Sequence, residues 1–320
     1  LPRMQWFCGQ LLAAAGDDAG SAQRNGPVRI RVKEKGPLVA SLLVESDALG
    51  CHRLIREIRL MAGQDHVELL NVVDKARLRA GSYHAKEGKE SLNFAFPFDV
   101  PGGQVRLEVP FGVLRPDADQ IPSACKNWFT VGRWVDVSND EYGVTWVTLD
   151  APLVQVGGLT ANLLNSQSNP DVWQKEVGPT QRFYSWAMNN HWGTNYRAYQ
   201  EGPVSFRFVL WPHARYDPLA ASRLAIAQTQ PLAVIRGRGP KPDGRSRLRL
   251  SSDQVLVTGL KPADDGKGWI LRLWGGAGVD ASTRIEWSDP QPTGIFLSAI
   301  GERAGQQAQG DVSVPAWDVV

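Results

Sequence analysis

At 320 residues, with 35 Lys and Arg against 33 Asp and Glu, the chain is long enough for one large or two ordinary domains and is nearly neutral. Balanced charge gives no reason to expect nucleic acid or an anionic membrane as partner. No apolar run approaches ~18 residues, so neither a membrane-spanning helix nor a membrane partner is expected.

Residues 1–24, beginning LPRMQWFCGQ, lack the charged and apolar regions of a signal peptide and are read as a lead-in cut short at its start. Strand signals then dominate. GPVRIRVKEKGPLVASLLVES, from Gly26 to Ser46, alternates apolar and polar residues at period two and is broken by Gly-Pro turns. CHRLIREIRLMAGQDHVELLNVVDK repeats the pattern, with Leu54, Ile58 and Leu60 on one side of a Gly-Gln-Asp turn and Val67, Leu69 and Val72 beyond it. SLNFAFPFDV, GQVRLEVPFGVL, GVTWVTLDAPLVQVGGL and GPVSFRFVLW continue the series. One helix is expected, Asp217 to Pro231, with Asp217 as N-cap, Pro218 at the first helical position and Pro231 ending it. Leu219, Arg223, Ile226 and Ala227 give it only a weak apolar face, which predicts a short surface helix or a connector. A basic loop follows, and DQVLVTGLKP, GWILRLWGG, STRIEWS and TGIFLSAI start a fresh strand series, with VPAWDVV read as a last strand cut before its end.

Many short strands without βα alternation exclude a Rossmann fold or a TIM barrel and fit stacked antiparallel sheets. The expected organisation is a large β-sandwich over 25–231, ending in the helix, and a smaller β-sandwich domain over 232–320.

Metal and nucleophile signatures are missing. The five histidines, His52, His66, His84, His191 and His213, include no pair at i,i+2 or i,i+4 spacing. The three cysteines, Cys8, Cys51 and Cys125, contain no C-x-x-C and cannot all pair, so free thiols are expected. There is no G-x-S-x-G elbow and no phosphate-cradling glycine loop. The carboxylates nearest aromatic clusters are Asp136, Asp150 and Glu201, and each has a structural alternative at a strand end or turn.

The segment SWAMNNHWGTNYRAYQEGPVSFRF, Ser185 to Phe208, concentrates Asn, Trp and Tyr around one His. It reads as strand, loop, strand. Tyr184, Trp186 and Met188 alternate on the first strand, Phe206 and Phe208 face the core on the second, and Asn189, Asn190, His191, Trp192, Thr194 and Asn195 form the loop. Asn suits such a loop because it tolerates left-handed backbone and bonds it locally. A buried polar network fixing the loop, a contact with sugar, and an interdomain contact all fit this composition. Of the tryptophans on the neighbouring strands, Trp134 and Trp146 are expected in the core, and Trp128, in CKNWFT, is expected as an exposed aromatic.

ACKNWFTVGRWVDVSNDEYGVTWVTLDAPL and WAMNNHWGTNYRAYQEGPVSFRF, with VPFGVLRPD before them and VTGLKPADDGKGWILRLW and VPAWDVV after, resemble the C-terminal β-sandwich region of glycoside hydrolase family 38, the zinc-dependent α-mannosidases. The resemblance implies a supersandwich of the galactose-mutarotase-like kind, followed by a smaller β domain. It also implies that the catalytic apparatus, an aspartate nucleophile and zinc, belongs to an N-terminal α/β domain outside this sequence. No residue here maps onto a zinc ligand or the nucleophile. The chain is therefore expected to bind no cofactor, to be inactive alone, to pair with its own catalytic domain and to meet mannosides. The residues expected nearest the sugar are Asn189, Asn190, His191, Trp192, Asn195 and Trp128. The alternatives are a stand-alone carbohydrate-binding or structural sandwich, and a lyase or epimerase using His191, Tyr196 and Arg197.

Overall fold

A computed structural model describes residues 10–15, 20, 22–77, 90–161, 171, 173–190, 199–234, 236–239, 244, 246–288 and 291–320. In chain order the strands are β1 (Gln10–Ala15), β2 (Gln23–Arg24), β3 (Val28–Lys35), β4 (Val39–Ser46), β5 (Cys51–Met61), β6 (Val67–Lys75), β7 (Glu90–Pro97), β8 (Gln104–Val109), β9 (Gly112–Leu114), β10 (Phe129–Thr130), β11 (Trp134–Ser138), β12 (Gly143–Thr148), β13 (Leu153–Val156), β14 (Arg182–Asn189) and β15 (Gly202–His213). After helix α1 (Pro218–Thr229) come β16 (Leu248–Leu250), β17 (Leu256–Pro262), β18 (Trp269–Trp274), β19 (Ala281–Thr283), β20 (Ile285–Trp287), β21 (Phe296–Ser298), β22 (Ala304–Gln307) and β23 (Val312–Val314).

Among the described residues, six strands form one sheet in the order β10-β13-β14-β7-β1-β2, and nine form a second in the order β3-β4-β5-β6-β15-β12-β11-β8-β9. The pairings are antiparallel, for example Trp146↔Leu210 and Phe94↔Ser185. The lead-in read at 1–24 supplies β1 and β2 to the six-stranded sheet.

The two sheets enclose one aromatic core, because period-two alternation turns every second residue inward. Leu92, Phe94 and Phe96 from β7 and Phe183 from β14 meet Trp146 from β12 and Phe206, Phe208 and Leu210 from β15. Trp146 stacks on Phe208 with ring centroids 5.2 Å apart, and Phe96 lies 5.3 Å from Trp146. Each such side chain contributes roughly 1.5–3 kcal/mol through burial, with ring pairing adding to it. Trp134 and Trp146 are both fully buried, as their strand positions predict, but only Trp146 joins this core. Trp134 lies on the other face of its sheet and packs against Tyr216 at 6.5 Å.

That outer face holds a buried polar network. Asp136 on β11 accepts from Thr145 Oγ1 at 2.8 Å and Ser138 Oγ at 2.5 Å, and meets His213 Nε2 at 2.7 Å. Arg106 on β8 stands 3.8 Å away. The network requires glycine at position 143: a Cβ there would sit 2.3 Å from Ser138 Cβ and 2.8 Å from His213 Cε1. The turn of this hairpin is closed by Asn139, whose side-chain oxygen accepts from Glu141 N and Tyr142 N, both at 2.9 Å. Asp136 thus satisfies side chains across three strands rather than strand-end N–H groups.

Helix α1 begins as the sequence predicts. Asp217 Oδ1 caps it, accepting from Leu219 N at 2.9 Å and Ala220 N at 3.0 Å. It is not a surface helix, however. Leu219, Ala221, Ser222 and Ala225 are buried. Small residues need no large apolar face to be enclosed, which is why the apolar pattern underestimated it.

Contacts divide the chain into two compact units: Leu1–Val109, Val113–Tyr216 and Leu224–Gln230 in one, Pro110–Gly112, Asp217–Arg223 and Pro231–Val320 in the other. The second unit is built from two-stranded pairs, β16 with β20, β17 with β18, β19 with β23 and β21 with β22. Its core is Val255, Leu273, Ala281, Val312 and Val314. VPAWDVV is not one strand: β23 ends at Val314, Trp317 turns with φ 59°, and Val320 exchanges both backbone hydrogen bonds with Leu273.

Candidate functional site

The six-stranded sheet turns a polar face away from the core. Asn93 on β7 donates to Ser91 Oγ at 3.0 Å and accepts from Gln155 Nε2 on β13 at 2.7 Å. Gln155 Oε1 in turn accepts from Thr160 N and Ala161 N, at 2.7 and 2.8 Å. Asn127 clamps the same loop region, donating to Thr160 O at 2.6 Å and accepting from Gln174 N at 2.9 Å. A sheet face that is buried and polar must be paired in this complete way to be tolerated.

Trp186 lies on this face beside Trp128, at 5.9 Å, and Trp128 also meets Trp173, at 6.0 Å. Trp128 is therefore half-buried in an aromatic cluster, not the exposed aromatic that its irregular neighbourhood predicted. β14 reaches this arrangement through a bulge between Trp186 and Met188. Before the bulge, Phe183 faces the core and Trp186 the opposite side. After it, Ala187 and Met188 both turn partly inward.

A cleft of about 460 Å³ opens where β6 ends, β7 begins, β14 ends and the chain returns toward β15. Asn189 and Asn190 line it. Asn189 is the last residue of β14, paired in register with Ser91, and so belongs to the strand rather than to the loop. Asn190 is buried, and its side-chain carbonyl accepts from Glu90 N at 2.6 Å while its own N–H reaches Glu90 O at 3.1 Å. His191, Trp192 and Asn195, with Tyr196 and Arg197, lie outside the described residues.

The charged groups of the cleft are two ion pairs. Lys75, buried at the end of β6, places Nζ 2.6 Å from Glu90 Oε1 and 2.7 Å from Ala76 O. Burial pushes the Glu90 carboxyl above its ordinary value, with Lys75 pulling it back. Asp150, in the β12–β13 connection, takes Arg207 in a fork, at 3.0 Å from Nε and 2.8 Å from Nη2, and also accepts Arg207 N at 2.8 Å. That pairing raises the Arg207 guanidinium. Glu201 is 3.8 Å from Arg77, which in turn lies 3.9 Å over the Tyr199 ring. Each candidate carboxylate thus has a cationic partner. The cleft combines fixed acceptors, amide groups and apolar edges from Trp186 and Met188, a set suited to holding hydroxyl groups. Lys75 and Arg207 were not singled out from the sequence. Lys75 did carry a signal: counted at period two from Leu69 and Val73, it falls on a core-facing position, where an unpaired Lys is not tolerated.

Among the described residues, no three His, Cys, Asp or Glu side chains gather to hold a metal ion. No described helix is long and apolar enough to cross a membrane. Cys51 and Cys125 are free and half-buried, and burial pushes the Cys51 thiol up to about 11.

Two solved structures superpose on nearly the whole chain. An α-mannosidase from Enterococcus faecalis V583 aligns over 98% of it with a TM-score of 0.71 and 10% identity, and a protein in glycosyl hydrolase family 38 from Enterococcus faecalis aligns over 98% with a TM-score of 0.70 and 10% identity. At that identity they establish the fold. This chain spans 38% and 39% of their respective lengths. No curated protein matches it by sequence. The family described as "Glycosyl hydrolases family 38 C-terminal domain" matches residues 15–172, a stretch that includes β3 to β13, the Asp136 network, Lys75, Glu90 and Asp150. Over residues 15–172, just under half of its length, the chain matches the C-terminal domain of glycosyl hydrolase family 38.

Proposed function

We propose that this chain is the C-terminal sandwich portion of an α-mannosidase-like glycoside hydrolase, that cleavage of the α-mannosidic bond is carried by a zinc-bearing catalytic domain outside residues 1–320, and that the sandwich supports that domain and offers the cleft beside Asn189 and Asn190 to the glycan. The family match over 15–172 carries this reading. The residues of the cleft are consistent with holding rather than cleaving sugar. A retaining glycosidase needs two carboxyl groups about 5 Å apart, one free to attack and one free to shuttle a proton. Glu90 and Asp150 are each committed to a cation. The donor set does not fit zinc among the described residues, so no step through a metal is assigned to them.

Hydrolysis of 4-nitrophenyl α-mannoside with zinc supplied tests the division of labour. The 320-residue chain is expected to show no turnover, and the longer polypeptide containing it is expected to be active. Turnover by the 320 residues alone at a comparable rate overturns the proposal. The cleft also supports a second reading, a stand-alone carbohydrate-binding module. Titration calorimetry with mannose and mannobiose separates the two: saturable heat in the isolated chain, together with no longer encoded polypeptide, favours the module.

A further inference from the structure

On the face of the nine-stranded sheet that carries Leu54, Leu69, Val73 and Phe208 into the core, the apolar pattern continues past the core's edge. The register takes it outward row by row. Ile58 pairs with Leu42 and Leu42 with Val32; Arg56 pairs with Val44 and Val44 with Ile30. β3 is the edge strand, and all eight of its residues are exposed. Val28, Ile30 and Val32 are 50%, 61% and 59% exposed, and Leu42 and Leu60 are 40% and 53%. Scattered exposed apolar residues need no explanation, but a contiguous strip does. The opposite face of the same strands is charged: Lys33 reaches Glu57 at 2.6 Å, and Arg53 pairs with Glu45.

Arg56 stands inside the apolar strip. Its Nε donates to Asn71 Oδ1 at 3.0 Å, and no carboxylate among the described residues pairs with the guanidinium. Burial lowers it to about 10, which still leaves it cationic at neutral pH. Arg56 is half-buried, so a cation without a counter-charge stands at the surface of the strip, and a carboxylate delivered to it gains a two-pronged hydrogen bond.

We propose that the strip made by β3, β4 and β5 on this face seats another part of the same hydrolase polypeptide, outside residues 1–320, which covers Ile30, Val32, Leu42 and Leu60 and sets an Asp or Glu against Arg56. The inference rests on the reading that this chain is part of a longer enzyme. Charge complementarity selects the occupant. A second copy related by a two-fold axis is disfavoured, because the strip offers two cations and no carboxylate: its positions are Val28, Ile30, Val32 and, past the bulge, Lys35 on β3, Ala40, Leu42, Val44, Ser46 on β4, and Leu54, Arg56, Ile58, Leu60 on β5. Two such faces would confront guanidinium with guanidinium. The solved chain that this one superposes on leaves 62% of its length outside the aligned part, ample polypeptide to cover the strip.

Hydrogen exchange tests the proposal, comparing the 320-residue chain with the longer polypeptide. Amides of β3 and β4 are expected to exchange at least ~10-fold more slowly in the longer form. Arg56→Glu is expected to abolish that protection in the longer form, and Ile30→Lys, at a position 61% exposed, is expected to do so while leaving the melting temperature of the isolated chain within a few degrees. Equal exchange of β3 in both forms overturns the proposal. So does protection that grows with the concentration of the isolated chain and tracks a dimer in sedimentation. Mannoside hydrolysis by the longer polypeptide is read separately. Equal exchange with intact hydrolysis rejects the docking face alone, and protection without hydrolysis rejects the substrate reading alone.

Discussion

The centre and one edge of the nine-stranded sheet share one pattern and meet different fates. At the centre, on β12 and β15, inward residues such as Trp146 and Phe208 lie under the six-stranded sheet and are buried. At the β3–β5 end, Ile30, Val32 and Leu42 follow the same alternation on the same face and stand in water. Alternation decides which side chains share a face. What lies opposite decides whether that face is core, and hence how much each residue contributes to stability.

The largest expected effect is at the covered centre. Trp146→Ala removes a side chain in contact with Phe96, Phe183 and Phe208 and is expected to cost about 4 kcal/mol, through lost transfer energy and a residual cavity. Urea denaturation of the isolated chain measures it. A loss below about 1 kcal/mol would mean that the two sheets do not enclose a tight core there.

Asp136→Ala follows, with an expected loss of roughly 3 kcal/mol, because it strands His213, Thr145 and Arg106 in a site with little access to water. Asp136→Asn keeps the shape and some of the hydrogen bonds, and is expected to lose less. Equal losses for the two variants would assign the effect to charge rather than to shape.

The Lys75–Glu90 pair, at the mouth of the cleft, lies between the extremes. Lys75→Met leaves a buried carboxylate unpaired and is expected to destabilise by about 3 kcal/mol, whereas Lys75→Met with Glu90→Leu is expected to recover most of that loss. The pH dependence has a definite sign. Because the Glu90 carboxyl in the fold is held above its ordinary value of 4.5, the native state keeps that proton longer than the unfolded chain does. Its contribution is fully present below about pH 4.5 and is lost as pH rises through the elevated value. Glu90→Gln removes this slope, so the stability of wild type relative to the variant is expected to fall as pH rises. Urea midpoints across that range measure it. A gap that instead widens with pH would mean that Lys75 outweighs burial at this carboxyl.

How much of this was legible follows from the same distinction. Alternation exposed β3 to β6, β12 and β15, and Asp217-Pro218 exposed the start of α1, because these depend on neighbours in sequence. The cleft did not show itself. Lys75 and Glu90 come from different sheets, and Asp150 and Arg207 are 57 residues apart; nothing local ties them. Trp128 could be placed only once Trp173 and Trp186 were seen beside it. The burial of α1 escaped because Ala221, Ser222 and Ala225 are enclosed by virtue of being small. The polar run around Asn189 and Asn190 was compatible with a buried polar network, a sugar contact or an interdomain contact. Of its described part, Asn190 is buried and bonds Glu90, as the network reading expects.

The smallest expected effect sharpens the comparison most. Ile30→Lys adds a charge to an edge strand whose side chains already meet water, so the isolated chain is expected to change by less than about 0.5 kcal/mol. An apolar residue of the same face at the centre of the sheet, such as Leu210, would not tolerate this change, because its surroundings offer the ammonium no solvent. Near-silence at Ile30 in the isolated chain, measured by the same urea titration, would show that the alternating pattern of β3 serves a contact the isolated sandwich does not make. A loss of several kcal/mol would instead make β3 part of the sandwich's own core and remove the reason for a partner at that edge.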